Sequence, residues 1–137
     1  MTLTPADHPG GIPDCEQDLH PLARLGIQLF NRQEFFKAHE ALETAWKEEK
    51  GPIRDLYRGI LQVAVGYYHI QRGNITGARK MFKLCRGWLD PFPGRCRGVN
   101  LAQLIEDYQA VESRLDRLES ESAGALENIV FPPILLT

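Results

Sequence analysis

The sequence predicts an all-α fold, a single compact bundle of about five helices joined as antiparallel hairpins around a central buried helix at about 53–72. Three observations carry this prediction. Apolar residues recur at spacings of three and four through most of the chain. The breaks between those stretches hold Gly, Pro and Asn where helices end and begin. No segment alternates apolar and polar residues in the manner of a half-buried strand. The 137 residues, 43% hydrophobic and 25% charged, suit one domain with a substantial core.

Residues 1–20 hold Pro5, Pro9, Gly10, Gly11 and Pro13 among polar residues, the composition of an irregular leader. Pro21 suits a first helical position, and Leu22, Leu25 and Leu29 follow as one stripe, predicting a helix to about Phe30. Asn31 with Glu34 reads as a capping box for a second helix, from about Arg32 to Glu49, which stops at Lys50, Gly51 and Pro52. The third helix, about Ile53 to Arg72, is apolar nearly all round and belongs in the middle of the bundle. Gly73 closes it and Asn74 opens a fourth, which runs to about Leu89 before Asp90-Pro91-Phe92-Pro93-Gly94. So short a turn makes these two helices antiparallel neighbours. Asn100 begins a fifth, whose Leu101, Leu104, Tyr108, Val111 and Leu115 keep a helical period until Gly124.

The helical domain is therefore expected at 21–124. In the tail, 125–137, Ile129 to Phe131 and Ile134 to Leu136 are too apolar for water, and Pro132 and Pro133 bar a helix. This tail is expected to dock on the core or to cover a neighbouring subunit. Gln33 to Ala38 and Gly73 to Ala78 form a weak internal repeat, each placing a small Ala after a turn as tetratricopeptide-type hairpins do. Two copies imply hairpin packing and no peptide groove.

The net charge of −2 supplies no field toward nucleic acid. No basic start with an apolar stretch opens the chain, and no segment reaches the roughly 18 apolar residues of a membrane span. The expectation is a cytoplasmic protein with no membrane partner. Cys15, Cys85 and Cys96 are odd in number and lack C-x-x-C spacing, so they read as free thiols. Phosphate loops, dinucleotide fingerprints and Ser-His-Asp orders are absent from the sequence.

His39, Glu43 and Trp46 stand at steps of four and three on one face of the second helix, and Arg32 and Phe36 extend the row. Asp55, Gly59, Gln62, Gly66 and His69 repeat that pattern on the third helix. The two rows are expected to face each other, with the glycines letting the backbones approach. A turn centred between Gly51 and Pro52 sets His39 level with Ala64 and Glu43 level with Ile60. Gln62 then falls between them, with His69 roughly 7.5 Å beyond His39 at about 1.5 Å per residue.

The run Phe30-Asn31, Phe35-Phe36, Ala38-His39-Glu40, Leu42-Glu43 and Trp46, with Gln62 and Gly73-Asn74 to Gly77-Ala78-Arg79, resembles the bacterial and archaeal domain of unknown function 309. That family is described by the motif His-x-x-x-Glu-x-x-Trp/Tyr, matched here at His39, Glu43 and Trp46. The resemblance covers about Leu22 to Leu89. It implies a compact helical fold and a site for which metal binding has been proposed, without an assigned reaction.

Several chemistries fit this site. In a buried polar clamp, Glu43 accepts from the His39 ring, Gln62 satisfies the remainder, and Trp46 and Phe36 exclude water. In a metal site, His39 and Glu43 chelate one divalent ion from a single helix face and His69 completes the shell. A His-Glu pair also suits a general base, but no Ser or Cys nucleophile stands beside it. Elsewhere, Arg79, Lys83 and Arg86 form a basic stripe able to meet an anion. The patch is short and acidic helix faces can neutralise it, so nucleic acid is not the expected partner.

The leading reading is thus a small cytosolic interaction or ligand-binding module with a semi-buried polar site at His39, Glu43, Trp46 and Gln62. The alternative is a metal-dependent, hydrolase-like enzyme using His39, Glu43 and His69. A homo-oligomer is compatible with either, and the partner is unknown.

Overall fold

A computed structural model describes residues 13–118 and 128–137. Among them run the helices α1 (Pro21–Asn31), α2 (Phe35–Glu48), α3 (Arg54–Gln71), α4 (Ile75–Leu89) and α5 (Leu101–Leu118). A short 3-10 turn, Pro13–Glu16, precedes α1, and two-residue strands β1 (Arg95–Cys96) and β2 (Val99–Asn100) sit between α4 and α5. The first part of the expected leader, 1–12, and the stretch 119–127, which includes Gly124, lie outside the described residues. Among the described residues no helix is long and apolar enough to cross a membrane.

Helix α3 packs between α2 and α4 and buries Leu56, Tyr57, Ile60, Val63, Ala64, Tyr67 and Ile70. Two of its glycines set the approach of α4. A Cβ at Gly66 would stand 2.6 Å from Phe82 Cε1, and one at Gly59 would overlap Leu89. On α1 the buried face is Ala23, Gly26, Ile27 and Phe30 rather than the leucine stripe, and Leu25 is 42% exposed. The reason is again closeness of backbones. A Cβ at Gly26 would meet Leu42 Cγ of α2 at 2.6 Å, so the small residues, and not the leucines, face the partner helix.

The internal repeat is real at the level of geometry. Equivalent positions of the two hairpins lie forty residues apart: Gln33 and Gly73 both take left-handed backbone, with φ 62° and 75°. The Glu34 and Asn74 amides donate back to Leu29 and His69 carbonyls at 3.0 and 2.8 Å, and Ala38 and Ala78 are both fully buried. The candidate row His39, Glu43, Trp46 and the basic stripe Arg79, Lys83, Arg86 therefore occupy equivalent positions on the second helix of each hairpin.

The expected capping box at Asn31 is not formed. Asn31 is the last residue of α1, the chain turns through Gln33, and α2 begins at Phe35 after Glu34, whose side chain makes no cap hydrogen bond. Asn31 grips the C-terminal segment instead: its Nδ2 donates to the Ile134 carbonyl at 3.0 Å and its Oδ1 accepts from the Ile134 amide at 2.8 Å. Asn31→Ala is expected to lower unfolding free energy by about 1–3 kcal/mol, the worth of two part-buried hydrogen bonds. Urea denaturation checks this, and an unchanged midpoint would show that the clamp contributes nothing. Asn74 does cap α4 as expected, accepting from the Gly77 amide at 2.9 Å.

Two expectations about residues 13–20 and 90–100 are overturned. Two short strands form without a strand pattern in the sequence, as a hairpin whose turn, Arg97-Gly98, is left-handed at both residues (φ 53° and 79°). Strands of two residues are too short to alternate visibly in a sequence. Cys15 and Cys96 are not free thiols but a disulfide, with Cα atoms 4.4 Å apart. Spacing could not reveal it, because the partners meet only once the hairpin has folded onto the turn before α1. There the Arg97 amide donates to the Cys15 carbonyl at 2.7 Å, and Nη1 of the buried Arg97 donates to the Asp18 carbonyl at 2.9 Å. Cys85 remains a free, buried thiol, pushed up to about 12 by that burial.

The end of the chain is fastened to the same hairpin. Val99 bridges Leu136, and the Thr137 amide donates to the Gly98 carbonyl at 2.7 Å. Ile134 is buried, and the Phe131 ring lies 4.9 Å from Tyr67 and 5.2 Å from Phe35.

Candidate functional site

Helix α2 displays its row because its other face is committed to the core through Phe35, Ala38, Leu42 and Ala45. His39, Glu43 and Trp46 are left half-buried at the rim. His39 Nε2 stands 3.4 Å from Glu43 Oε2, while Lys47 donates to Glu43 Oε1 at 3.1 Å. The Lys47 hydrogen bond holds the Glu43 carboxyl below its ordinary range, with slight burial opposing it and His39 adding to it. A carboxylate held in this way keeps its charge and is a correspondingly weak proton acceptor.

Aromatic contacts fix how α2 and α3 are aligned. Phe36 meets Tyr68 at 5.4 Å between ring centroids, and the Arg58 guanidinium lies 5.0 Å over the Trp46 ring. Ten residues along α2 thus match ten back along α3, which sets Gln62 level with Leu42, between His39 and Glu43. The height expected from the loop is met within one residue. The facing is not. Gly59 and Gly66 meet α4 and not α2, so the row Asp55, Gly59, Gln62, Gly66, His69 does not oppose the α2 row.

His69 goes with α4. Its Nδ1 is 3.4 Å from Asn74 Nδ2, and its Cδ2 would stand 3.1 Å from a Cβ at Gly77. Among the described residues no group of three or more His, Cys, Asp or Glu side chains is placed to hold a metal ion, so His39, Glu43 and His69 are not gathered into one centre. The clamp is incomplete as well. His39 Nδ1, Trp46 Nε1 and Gln62 Oε1 are all buried without a hydrogen-bond partner. Phe36, expected to shut out water, is 50% exposed.

Arginines supply what the row reading missed. Arg58 projects from α3 between two indoles, 5.0 Å from the Trp46 centroid on α2 and 4.2 Å from the Trp88 centroid on α4. Arg54, one turn earlier, lies 5.4 Å over the same Trp46 ring. The signal was present in the sequence, since Arg54 and Arg58 share a face at a step of four and the loop alignment brings Arg58 level with Trp46.

The basic stripe is differently employed. Arg79 pairs with Asp116 at 2.8 Å and Arg86 with Glu112 at 2.5 Å, both on α5, while Lys83 is exposed between them. In the first hairpin the residue equivalent to Arg86 is Trp46, which lies under Arg54 and Arg58 of α3.

Part of the chain is similar to a known family. Residues 23–81 match the model of domain of unknown function 309. The domain of unknown function 309 segment runs from α1 into α4 and contains His39, Glu43, Trp46, Arg54, Arg58 and Gln62; Trp88, Cys96 and the tail lie beyond it. The chain is 36% identical over 109 residues to the uncharacterized protein YpuF of Bacillus subtilis (strain 168), covering 77% of this chain and 60% of that protein. It is 30% identical over 78 residues to an uncharacterized protein of Aquifex aeolicus (strain VF5), covering 55% of this chain and 23% of that one. The chain thus spans less than two thirds of either relative.

Proposed function

We propose that this protein is a ligand-binding or interaction module whose binding face is the outer side of α3 together with the rims of α2 and α4. In this reading residues 21–124 and the tail 125–137 act as one unit. The observation that supports it is the set of three buried polar atoms without partners, His39 Nδ1, Trp46 Nε1 and Gln62 Oε1. A buried donor or acceptor left unsatisfied costs about 1–3 kcal/mol, and folded proteins leave few of them. Three on neighbouring helix rims, two of them in one motif, are accounted for when a bound polar group completes them.

The test is a titration of isotope-labelled protein with small polar fragments, followed by NMR. The expected result is that binders shift the Trp46 indole N–H, the Gln62 side-chain amide and the His39 ring together. Binders whose shifts cluster elsewhere on the surface, with these three unmoved, would contradict the assignment.

A further inference from the structure

We propose that Arg58, held between Trp46 and Trp88, is the anchor of an oxyanion site that receives a carboxylate or phosphate group of the ligand. This inference rests on the reading of the α3 face as a binding surface and names the chemistry one end of it recognises.

A guanidinium is a planar cation with five N–H donors in its plane, and aromatic rings attract it through its faces. Two indoles, at 5.0 and 4.2 Å from its central carbon, fix Arg58 and displace water from around it. The N–H donors are not consumed by this contact. Among the described residues neither the Arg58 nor the Arg54 guanidinium makes a hydrogen bond or ion pair, although Asp55 adjoins Arg54 in the chain. Arg79 and Arg86, by contrast, each have a carboxylate on α5.

Charge balance points the same way. Arg54 and Arg58 stand one turn apart over the same ring, and like charges at that spacing repel. The nearest acid of the α2 row, Glu43, is engaged by Lys47 and His39. A bound oxyanion would relieve the repulsion and take the bidentate fork that Arg58 presents, in surroundings of lower dielectric than water. Trp46 Nε1, buried without an acceptor, adds an unused donor to the same side chain that stacks on Arg58.

The protein carries its own reporter, because Trp46 and Trp88 are its only two tryptophans. Tryptophan emission is measured while inorganic phosphate or acetate is added at constant ionic strength, with chloride as control. The expected result is a saturable change with at least one oxyanion and none with chloride; the active anion tells phosphate from carboxylate recognition. Arg58→Lys keeps the charge but loses the planar fork, and is expected to weaken the response by about tenfold. Arg54→Gln, at a more exposed position, should weaken it less.

Equal responses to chloride, affinity unchanged in Arg58→Lys, or no response to either oxyanion would overturn the proposal. The neutral probe N-methylacetamide separates the two readings by NMR. If it shifts His39 and Gln62 while both oxyanions are silent, the binding face stands and the oxyanion assignment falls. If neither class of probe shifts them, both fall.

Discussion

Tyr67→Ala is expected to lower unfolding free energy by about 3–5 kcal/mol, the range for removing a buried aromatic from a core. Among the described residues no other aromatic ring contacts rings in so many separate parts of the fold. The Tyr67 ring lies 5.4 Å from Phe30 at the end of α1, 5.4 Å from Phe35 at the start of α2, 5.9 Å from Phe82 on α4 and 4.9 Å from Phe131 in the tail. Its loss opens a cavity that α3, held close by Gly66 against Phe82, cannot collapse to fill. The hydroxyl contributes differently. It is buried without a partner, and burial raises its pKa far above the ordinary tyrosine value. Tyr67→Phe should therefore be neutral or stabilising in the same denaturation experiment. A loss of more than about 1 kcal/mol in the phenylalanine variant would mean that the hydroxyl is paired.

Breaking the Cys15–Cys96 disulfide is expected to cost about 2–4 kcal/mol, since it closes a long loop around all of α1 to α4. The partners are separated by 81 residues. The bond fastens the segment before α1 to the β1–β2 hairpin, and this segment also carries His20, whose amide donates to Tyr57 Oη at 3.0 Å. Denaturation midpoints of the oxidised protein with and without reductant measure the effect, and a Cys15→Ser, Cys96→Ser double variant should match the reduced protein and ignore reductant. Identical midpoints for oxidised and reduced protein would contradict the staple. Cys85 should not interfere, because its buried thiol is pushed up to about 12 and stays protonated at neutral pH.

The five helices were legible because their apolar residues keep a helical period and because Gly73 and Asn74 mark a turn that depends on local chemistry alone. Features that depend on distant chain were not legible. Asn31 looks like a cap from its neighbours, yet its amide serves Ile134, more than a hundred residues on. Cys15 and Cys96 carry no spacing signal, and a hairpin with two-residue strands has no alternation to detect. At the candidate site, loop length gave the height of Gln62 to within a residue but not the side of α3 that faces α2. The spacing of Gly59 and Gly66 predicts room for α2, whereas they make room for α4. That error of rotation hid Arg58, which stands where the glycine row was expected.

The central claim is that the polar atoms of this face are kept for a ligand and not for the fold. Gln62→Met tests it most directly, because methionine preserves the unbranched shape of glutamine and removes the unpaired Oε1. The measurement is unfolding free energy of the two proteins without ligand. A binding role for Gln62 predicts a variant more stable by roughly 1 kcal/mol, the relief of one unsatisfied buried acceptor. A variant less stable by the same amount or more would show that Gln62 is a satisfied member of a structural clamp, and would contradict the account.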